Sequence, residues 1–322
     1  MKTKALIQLL SDGSTHSGES LATELGVSRT AVWKQVKRAE SKGYRIQTIR
    51  GKGYRLCDSV DLLDESAVLS LLPPQSRALV TLHVMDSVDS TNAEVIRQCA
   101  QEPAGVVVCL ADTQTAGRGR RGRVWQSPPG ENLYLSMGLT LPGGFAALEG
   151  LSLVIGVALT DALESMGVSG LALKWPNDLL LEGHKLAGIL IELQGELEGA
   201  AQIVAGIGLN VHMTTAPAVD QAWTSLALAS PEGAVKWERN RIAATLIAAI
   251  LDAVDTFSNR GFVAFRERWQ RRDYFQGRSL MASQGEHQGI GRGIDEAGHY
   301  RIETQNGLTT VRAGEISLRV SA

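Results

Sequence analysis

Seven consecutive residues of this 322-residue chain, Gly117–Arg123, combine three glycines with four arginines. Glycine lets a backbone come close to a ligand, and the arginine guanidinium is a planar fork of donors that suits carboxylates and phosphates. Like charges repel, so a loop this basic is costly to order unless it closes over an anion. The segment predicts a binding loop for a substrate with several negative oxygens, although a disordered basic loop or a nucleic-acid contact has the same composition.

The glycine spacing in this loop also matches the dinucleotide fingerprint G-x-G-x-x-G, which requires a strand before it and a helix directly after it. The apolar run Val106–Leu110 predicts the strand. Pro128 and Pro129 follow closely, however, and proline removes a backbone donor and clashes inside a helix. The match is therefore interpreted as accidental.

Two further segments place polar groups at the ends of apolar strands. Lys174–Asp178 reads as the end of a strand that stops at Pro176. Lys185 begins the apolar strand of a hairpin, where it either reaches into a cleft or faces solvent. The residues Thr214–Gln221 predict a loop that is closed by Trp223, and we hypothesise that this loop orders over a ligand.

Asp89–Asn92 follows a predicted strand and precedes a predicted helix, Ala93–Ala100. Thr91 with Glu94 fits a capping box, in which two side chains satisfy free backbone donors at the helix start. The same free N–H groups can receive a polar ligand. Capping is the simpler interpretation of these residues.

The first 56 residues are basic, with eleven Lys+Arg against four Asp+Glu, or a net charge of +7. The whole chain has a net charge of −2, which leaves −9 for the remainder. A small basic module joined to an acidic body suggests an anionic polymer as partner of the module.

The basic module has the pattern of a winged helix-turn-helix. Ser17 is a candidate cap for a second helix, Gly26 a left-handed stop, and Ser28 the cap of a third helix from about Arg29 to Ser41. Two short strands then flank a basic turn that resembles a wing able to touch DNA. The candidate DNA-binding residues are Ser28, Arg29, Thr30, Trp33, Lys34, Lys37, Arg50 and Lys52. A small helical protein-interaction module is the alternative.

The length predicts two or three domains. No segment is predicted to reach the length of a membrane span, and no signal-peptide cleavage pattern is present. Three cysteines without metal or disulfide spacing favour a reducing, cytoplasmic compartment. From Gly277 onward, short alternating segments rich in glycine predict a small β-barrel.

Taken together, Gly117–Arg123 with Trp125, the string Lys174–Asp178 and the string Lys185–Leu190 resemble biotin–protein ligase. With the amino-terminal winged helix, the chain resembles the bifunctional bacterial biotin ligase and biotin-operon repressor over its whole length. The resemblance implies an α+β multidomain fold. Its parts would be a winged helix-turn-helix (1–60), a class II synthetase-like mixed sheet with helices (61–275) and an SH3-like β-barrel (276–322).

The resemblance also implies a reaction in two steps. The carboxylate of biotin attacks the α-phosphate of ATP, with Mg²⁺, to give biotinyl-5′-AMP, and a lysine of a biotin carboxyl carrier protein then attacks the acyl carbon. Lys185, Arg120 and Arg118 would be catalytic. The implied biotin-binding residues are Ser90, Thr91, Asn92, Gln114, Arg118, Gly119, Arg120, Lys185 and Gly188. The implied nucleotide-binding residues are Arg121, Asn177, Asn210 and Trp223.

Regulation is implied as well. Bound biotinyl-5′-AMP, as corepressor, would favour a homodimer built by pairing sheets, and the dimer would bind operator DNA. Two other functions stay open from sequence: a ligand-responsive DNA-binding regulator with an inactive ligase-like domain, and a lipoate or related acyl ligase.

Overall fold

The computed structural model describes residues 2–41, 43–57, 60–101, 105–142, 144, 148–194, 200–216, 218–230, 236–282, 288–313 and 318–320. The chain divides into two compact units, Met1–Leu62 and Leu63–Ala322. Each unit has its own hydrophobic core.

In the first unit the described residues form three helices and a hairpin: α1 (Lys2–Leu10), α2 (Gly18–Glu24), α3 (Arg29–Glu40), β1 (Ile46–Ile49) and β2 (Gly53–Leu56). The Ser17 hydroxyl accepts a hydrogen bond from the N–H of Ser20, and the Ser28 hydroxyl accepts one from that of Ala31. Both predicted caps are therefore confirmed. Leu6, Leu21 and Val36 are among the apolar residues that form the core between the helices.

The hairpin turns over Arg50–Lys52, with β1 antiparallel to β2. The backbone of Tyr54 also exchanges two hydrogen bonds of 2.9 Å with that of His16, which attaches the hairpin to the start of α2. Gly53 has a φ of 130°, and a Cβ there would overlap the His16 carbonyl. Only glycine therefore fits between the two segments.

The second unit is built on a mixed seven-stranded sheet. Its strands are β3 (Val80–Met85), β4 (Val106–Ala111), β5 (Asn132–Leu141), β6 (Leu171–Lys174), β7 (Asp178–Leu181), β8 (His184–Gln194) and β9 (Ala201–Asn210). The order across the sheet is β3-β4-β5-β9-β8-β7-β6. Only the β3–β4 pair is parallel, which confirms the predicted mixed sheet.

The described residues of this unit include seven helices: α4 (Glu65–Leu71), α5 (Pro74–Arg77), α6 (Thr91–Cys99), α7 (Leu151–Ser165), α8 (Leu226–Ala229), α9 (Arg239–Arg260) and α10 (Val263–Gln270). By length and composition, α9 is long and apolar enough to cross a membrane. The expectation that no segment reaches that length was therefore wrong. Half of that stretch is buried, and α9 packs against α7, so its apolar residues serve the protein core.

The C-terminal strands are β10 (Ser279–Ala282), β11 (Gln288–Ile294), β12 (Tyr300–Thr304), β13 (Gly307–Val311) and β14 (Leu318–Val320). They form an antiparallel sheet in the order β13-β12-β11-β10-β14. The predicted β-structure at this end of the chain is confirmed, and its closure into an SH3-like barrel stays a prediction. Leu280, Tyr300 and Ile302 of this sheet belong to the same hydrophobic core as the larger sheet. The two sheets thus support each other through shared packing.

Candidate functional site

A cavity of about 850 Å³ opens in the second unit. Its lining includes every residue that the sequence predicted for the ligand site: Ser90, Thr91, Asn92, Gln114, Arg118, Gly119, Arg120, Arg121, Asn177, Lys185, Gly188, Asn210 and Trp223. These residues come from separate strands, loops and a helix start. The fold therefore brings the three sequence strings to one place.

The arginine–glycine loop does not open a helix of the dinucleotide-binding type. A single 3₁₀ turn spans Arg120–Gly122, and the N–H of Gly119 donates a 2.7 Å hydrogen bond to the Arg123 carbonyl. Arg121 has φ 57° and ψ 34°, which is the left-handed region that a side chain disfavours. The backbone thus holds a strained conformation in the loop that carries the positive charge.

Lys185 lies in the cavity rather than on the solvent face of its hairpin. Its Nζ is 2.8 Å from Oδ1 of Asp178, and both side chains are only 16% exposed. The ammonium also lies 5.4 Å from the centre of the Trp125 ring, within the range of a cation–π contact. The carboxylate and the ring hold the lysine charge inside the cleft.

Arg120 is the most enclosed arginine of the loop, and one of its terminal nitrogens donates a 3.0 Å hydrogen bond to Oδ1 of Asn177. Burial lowers the pKa of the Arg120 guanidinium, and Arg121 acts in the same direction, while Asp178 opposes both. An arginine remains charged at neutral pH even so. Arg120 is therefore a partly desolvated cation, which acts on a nearby anion more strongly than a solvated one.

The side chains of Arg118 and Asn92 both contact the carboxylate of Glu192. Glu192 Oε1 is 3.2 Å from a terminal nitrogen of Arg118, and Glu192 Oε2 accepts a 2.6 Å hydrogen bond from the Asn92 amide. The Asn92 carbonyl oxygen in turn accepts a 2.6 Å hydrogen bond from the Ser136 hydroxyl. This network links α6 with β5 and β8.

The predicted capping box at Thr91 is wrong. Ser90, not Thr91, is the N-cap residue, and its side chain makes no capping bond. The N–H and hydroxyl of Thr91 both donate to Oε1 of Gln114, at 2.9 and 3.1 Å, and Glu94 accepts from Arg97 and Gln98 instead. The start of α6 is therefore tied to the β4 end rather than to its own first turn.

Glycines allow two site side chains to approach the sheet. A Cβ on Gly206 would overlap the Asn92 amide, and a Cβ on Gly208 would overlap the Trp125 indole. A Cβ on Gly188 would lie 3.0 Å from the Trp125 ring. The indole Nε1 of Trp125 is buried without a hydrogen-bond partner among the described residues.

The nucleotide candidates Asn177 and Asn210 are held by backbone groups. Asn177 donates a 2.7 Å hydrogen bond to the Ile189 carbonyl, and Asn210 donates one of 2.9 Å to the Thr224 carbonyl. The backbone of Trp223 lies beside that of Lys185, because the Lys185 N–H donates to Ala222 and its carbonyl accepts from Thr224. The loop after β9 is thereby anchored next to the lysine.

The C-terminal sheet supports the Lys174–Asp178 segment. The buried indole of Trp175 donates a 3.0 Å hydrogen bond to the Gly298 carbonyl and lies 5.9 Å from the Tyr300 ring. The Tyr300 hydroxyl donates to Asp273 at 2.8 Å. Burial raises the pKa of Asp273 to about 6, although its hydrogen bonds from Tyr300 and the Phe275 N–H act in the opposite direction.

The DNA-binding candidates lie in the first unit, and all eight of them, Ser28, Arg29, Thr30, Trp33, Lys34, Lys37, Arg50 and Lys52, are exposed. Six lie on α3 or at its start, and two lie in the hairpin turn. The buried residues of α3 include Val32, Val36 and Ala39, as its sequence pattern predicted. The helix thus presents a polar, basic face to solvent.

Among the residues that contact the predicted site residues, Asp178, Glu192, Trp125 and Ser136 received no role from sequence. Asp178 and Trp125 stood inside the strings that carried the family resemblance. Glu192 had a local signal, because it is the only charged residue in the apolar run Leu186–Leu193. Ser136 had none, since a serine within a strand is common.

Comparisons with known proteins agree with this site. Residues 84–210 match the Biotin/lipoate A/B protein ligase family, and residues 2–55 match an HTH domain. The bifunctional ligase/repressor BirA of Escherichia coli is 40% identical over 98% of this chain and 96% of its own length. The protein of that name from Bacillus spizizenii is 32% identical over 98% of both chains.

A solved structure shows the same similarity. A biotin protein ligase from Aquifex aeolicus, in complex with biotin and ATP, aligns with a TM-score of 0.64 and 27% identity, covering 75% of this chain and 99% of that one. Because the identity to the curated relatives extends across both units, the chain belongs to the biotin–protein ligase family, in its bifunctional ligase/repressor form.

Proposed function

We propose that the second unit activates biotin with ATP as biotinyl-5′-AMP and transfers the biotinyl group to a lysine of a biotin carboxyl carrier protein. The observation that carries this proposal is the cavity, in which Arg118, Arg120 and Lys185 converge with the polar residues of α6. In the first step a carboxylate oxygen attacks the α-phosphorus and pyrophosphate leaves. In the second step the lysine nitrogen attacks the acyl carbon and AMP leaves.

The first step brings two anions together, so positive charge must face the transition state. Lys185 and Arg120 are enclosed cations that face the cavity, and they would stabilise the charge on the carboxylate and α-phosphate. Ser90, Thr91, Asn92, Gln114, Gly119 and Gly188 would bind biotin with Arg118. Arg121, Asn177, Asn210 and Trp223 would border the adenylate and shield it from water.

Mg²⁺ would accompany ATP. Within the described ranges no group of three or more His, Cys, Asp and Glu side chains could hold a metal ion. Magnesium commonly binds to substrate phosphates with only one or two protein carboxylates. The side chains of the cavity therefore fit an ion that enters with the triphosphate better than a resident metal.

The test is transfer of labelled biotin, with ATP and Mg²⁺, to a biotin carrier domain, beside a parallel reaction with lipoate. Labelling by biotin alone supports the proposal. Labelling by lipoate would mean that the protein is a lipoate or related acyl ligase, and no labelling would favour a DNA-binding sensor with an inactive ligase domain.

We also propose that the first unit binds operator DNA and represses genes for biotin synthesis, in the cytoplasm. The eight exposed candidates on α3 and the hairpin support this proposal, because phosphate contacts need accessible basic groups. The fragment 63–322 should lose operator binding and retain biotin transfer. Binding of operator DNA by that fragment would contradict the assignment.

Homodimer formation on binding of biotinyl-5′-AMP completes the proposal. Strand β8 pairs with β7 only as far as Gly188, and no described strand lies on that side of residues 190–194. An unpaired edge is a template for a strand of another chain, and Leu193 there is 49% exposed. Sedimentation with and without biotinyl-5′-AMP tests this, and Arg120→Ala should lose adenylate formation and adenylate-dependent repression together.

A further inference from the structure

Glu192 lies where the substrate-binding network meets strand β8. It is a carboxylate with 27% of its side chain exposed, beside a cavity that we expect to bind anions. A negative charge in such a place repels an anionic substrate unless it is neutralised. Its two oxygens contact two different residues from our biotin-binding set, Arg118 and Asn92.

The contact with Arg118 leaves most of the guanidinium free for a ligand. Only one terminal nitrogen of Arg118 meets Glu192, at 3.2 Å from Oε1 and 3.5 Å from Oε2. A guanidinium carries five N–H groups in a rigid fork. Glu192 can therefore hold one end of the fork while the other end meets a substrate oxygen.

The contact with Asn92 sets the orientation of its amide. Asn92 is 4% exposed, its nitrogen donates to Glu192 at 2.6 Å, and its oxygen accepts from Ser136 at 2.6 Å. Gly206 leaves the space that this amide occupies. A hydrogen bond to a charged acceptor is stronger than one between neutral groups. The bond to Glu192 therefore holds the Asn92 amide more strongly than the bond from Ser136 does.

We propose that Glu192 is a positioning residue, whose carboxylate fixes Arg118 and Asn92 relative to each other for binding of biotin. The inference rests on the proposed function. Glu192 acts through these two side chains and does not touch the reacting atoms. Its neutralisation would free Arg118 to move away from the cavity, and its removal would also free the Asn92 amide.

Two substitutions separate these effects. Glu192→Gln preserves the shape and an acceptor oxygen for Asn92 but abolishes the ion pair, whereas Glu192→Ala removes both contacts. We expect the KM for biotin to rise about fivefold in Glu192→Gln, the range of an exposed ion pair, and about tenfold or more in Glu192→Ala. The KM for ATP should stay within about twofold of the wild-type value, because the two side chains that Glu192 contacts belong to the biotin-binding set and not to the nucleotide-binding set.

Glu267→Gln is the matched control, because Glu267 is 87% exposed and its side chain forms only a long ion pair with Arg271, at 4.0 Å, within the part of the chain that the structure describes. It should leave both KM values unchanged. Thermal melting of each variant separates positioning from stability. A merely structural role would lower the melting temperature and leave the KM for biotin of the folded enzyme unchanged.

A double-mutant cycle tests the connection to Arg118. If Glu192 acts through Arg118, adding Glu192→Gln to Arg118→Gln should raise the KM for biotin less than it does in the wild-type background. Full additivity, or a wild-type KM for biotin in both Glu192 variants, would overturn the inference. Absence of biotin transfer by the wild-type protein would instead contradict the proposed function.

Discussion

The basic residues of the two units differ in the side chains that contact them. On α3 and the hairpin turn all eight DNA-binding candidates are exposed, and Lys37 pairs with Glu40 of its own helix at 2.8 Å. In the cavity, Lys185 contacts Asp178 and Arg120 contacts Asn177, and both cations are partly buried. Arg118 is half exposed, but it contacts Glu192 from another part of the chain. The DNA-binding candidates form an exposed basic surface, whereas the cations of the cavity are held by contacts with side chains from other parts of the chain.

The difference reflects the two tasks that we propose. Affinity for DNA is the sum of many solvated phosphate contacts, so each cation contributes a small and salt-dependent share. Chemistry on a carboxylate and a phosphate needs a few cations in fixed positions, with little water around them. Substitutions should therefore have large effects in the cavity and small effects on the surface.

The largest effect is expected for Lys185→Ala. It removes an enclosed positive charge and leaves Asp178 without its 2.8 Å partner, so the rate of biotinyl-5′-AMP formation should fall by about 10²–10³-fold. The measurement is single-turnover formation of the adenylate. Lys236→Ala, at an exposed lysine, is the control. An equally small effect of both substitutions on the rate would contradict the distinction between cavity and surface lysines.

Gly208→Ala should also impair the site, although it changes no charge. The new methyl group would overlap the Trp125 indole, and Trp125 in turn contacts Lys185. Displacement of the indole should lower kcat/KM for biotin transfer by about 10-fold or more. Gly18→Ala, in the first unit, is the comparison, because its Cβ would lie 3.4 Å from the nearest atom, on the flexible Arg29 side chain. An equal loss of biotin transfer in Gly18→Ala would contradict this account.

Smaller effects are expected on the DNA surface. Arg50→Ala and Lys52→Ala should each weaken operator binding and reduce the slope of log affinity against log salt by about 0.9, as for one phosphate contact. Fluorescence anisotropy over a salt series measures both quantities. Biotin transfer should not change, and an unchanged salt slope in both variants would remove the hairpin from the DNA interface.

The smallest expected effect is a change of protein stability with pH, through one acid in each unit, Asp273 and Asp12. The pKa of Asp273 is raised to about 6 by burial, so the folded state binds more protons than the unfolded state between about pH 4 and 6. This acid therefore favours folding least above pH 6. Asp12, beside His16, has a lowered pKa because of their hydrogen bond, and its stabilisation is lost as pH falls.

Melting temperatures test these signs for wild type and Asp273→Asn at pH 7 and 5, and for wild type and Asp12→Asn at pH 5 and 3. On going from pH 7 to 5, wild type should gain stability relative to Asp273→Asn, by about 1 kcal/mol or ~2–4 °C. On going from pH 5 to 3, wild type should lose stability relative to Asp12→Asn, because a carboxyl with a lowered pKa loses its stabilisation only as pH falls past its ordinary pKa of 3.8. The same sign for both variants would show that the two acids are not in the contrasting environments described.

Local sequence signals predicted much of the fold. Ser17 and Ser28 cap helices as expected, because a hydroxyl three residues before an N–H needs no distant partner. The same reasoning failed at Thr91, where Gln114, 23 residues away, accepts the bonds. Helix α9 is likewise long and apolar enough to cross a membrane by its own sequence, yet half of that stretch is buried by packing within the protein.

The sequence by itself determined which residue types could act: the arginine–glycine loop, the lysine that begins β8, and the basic third helix. Their identities and spacings indicated an anion site and a DNA surface, and they carried the family resemblance. Only the tertiary structure decided that Glu192 meets Arg118 and Asn92, that Trp125 lies over Gly208, and that Trp175 is held by the C-terminal sheet. These contacts join residues far apart in the chain, and such distances close only when strands and helices pack.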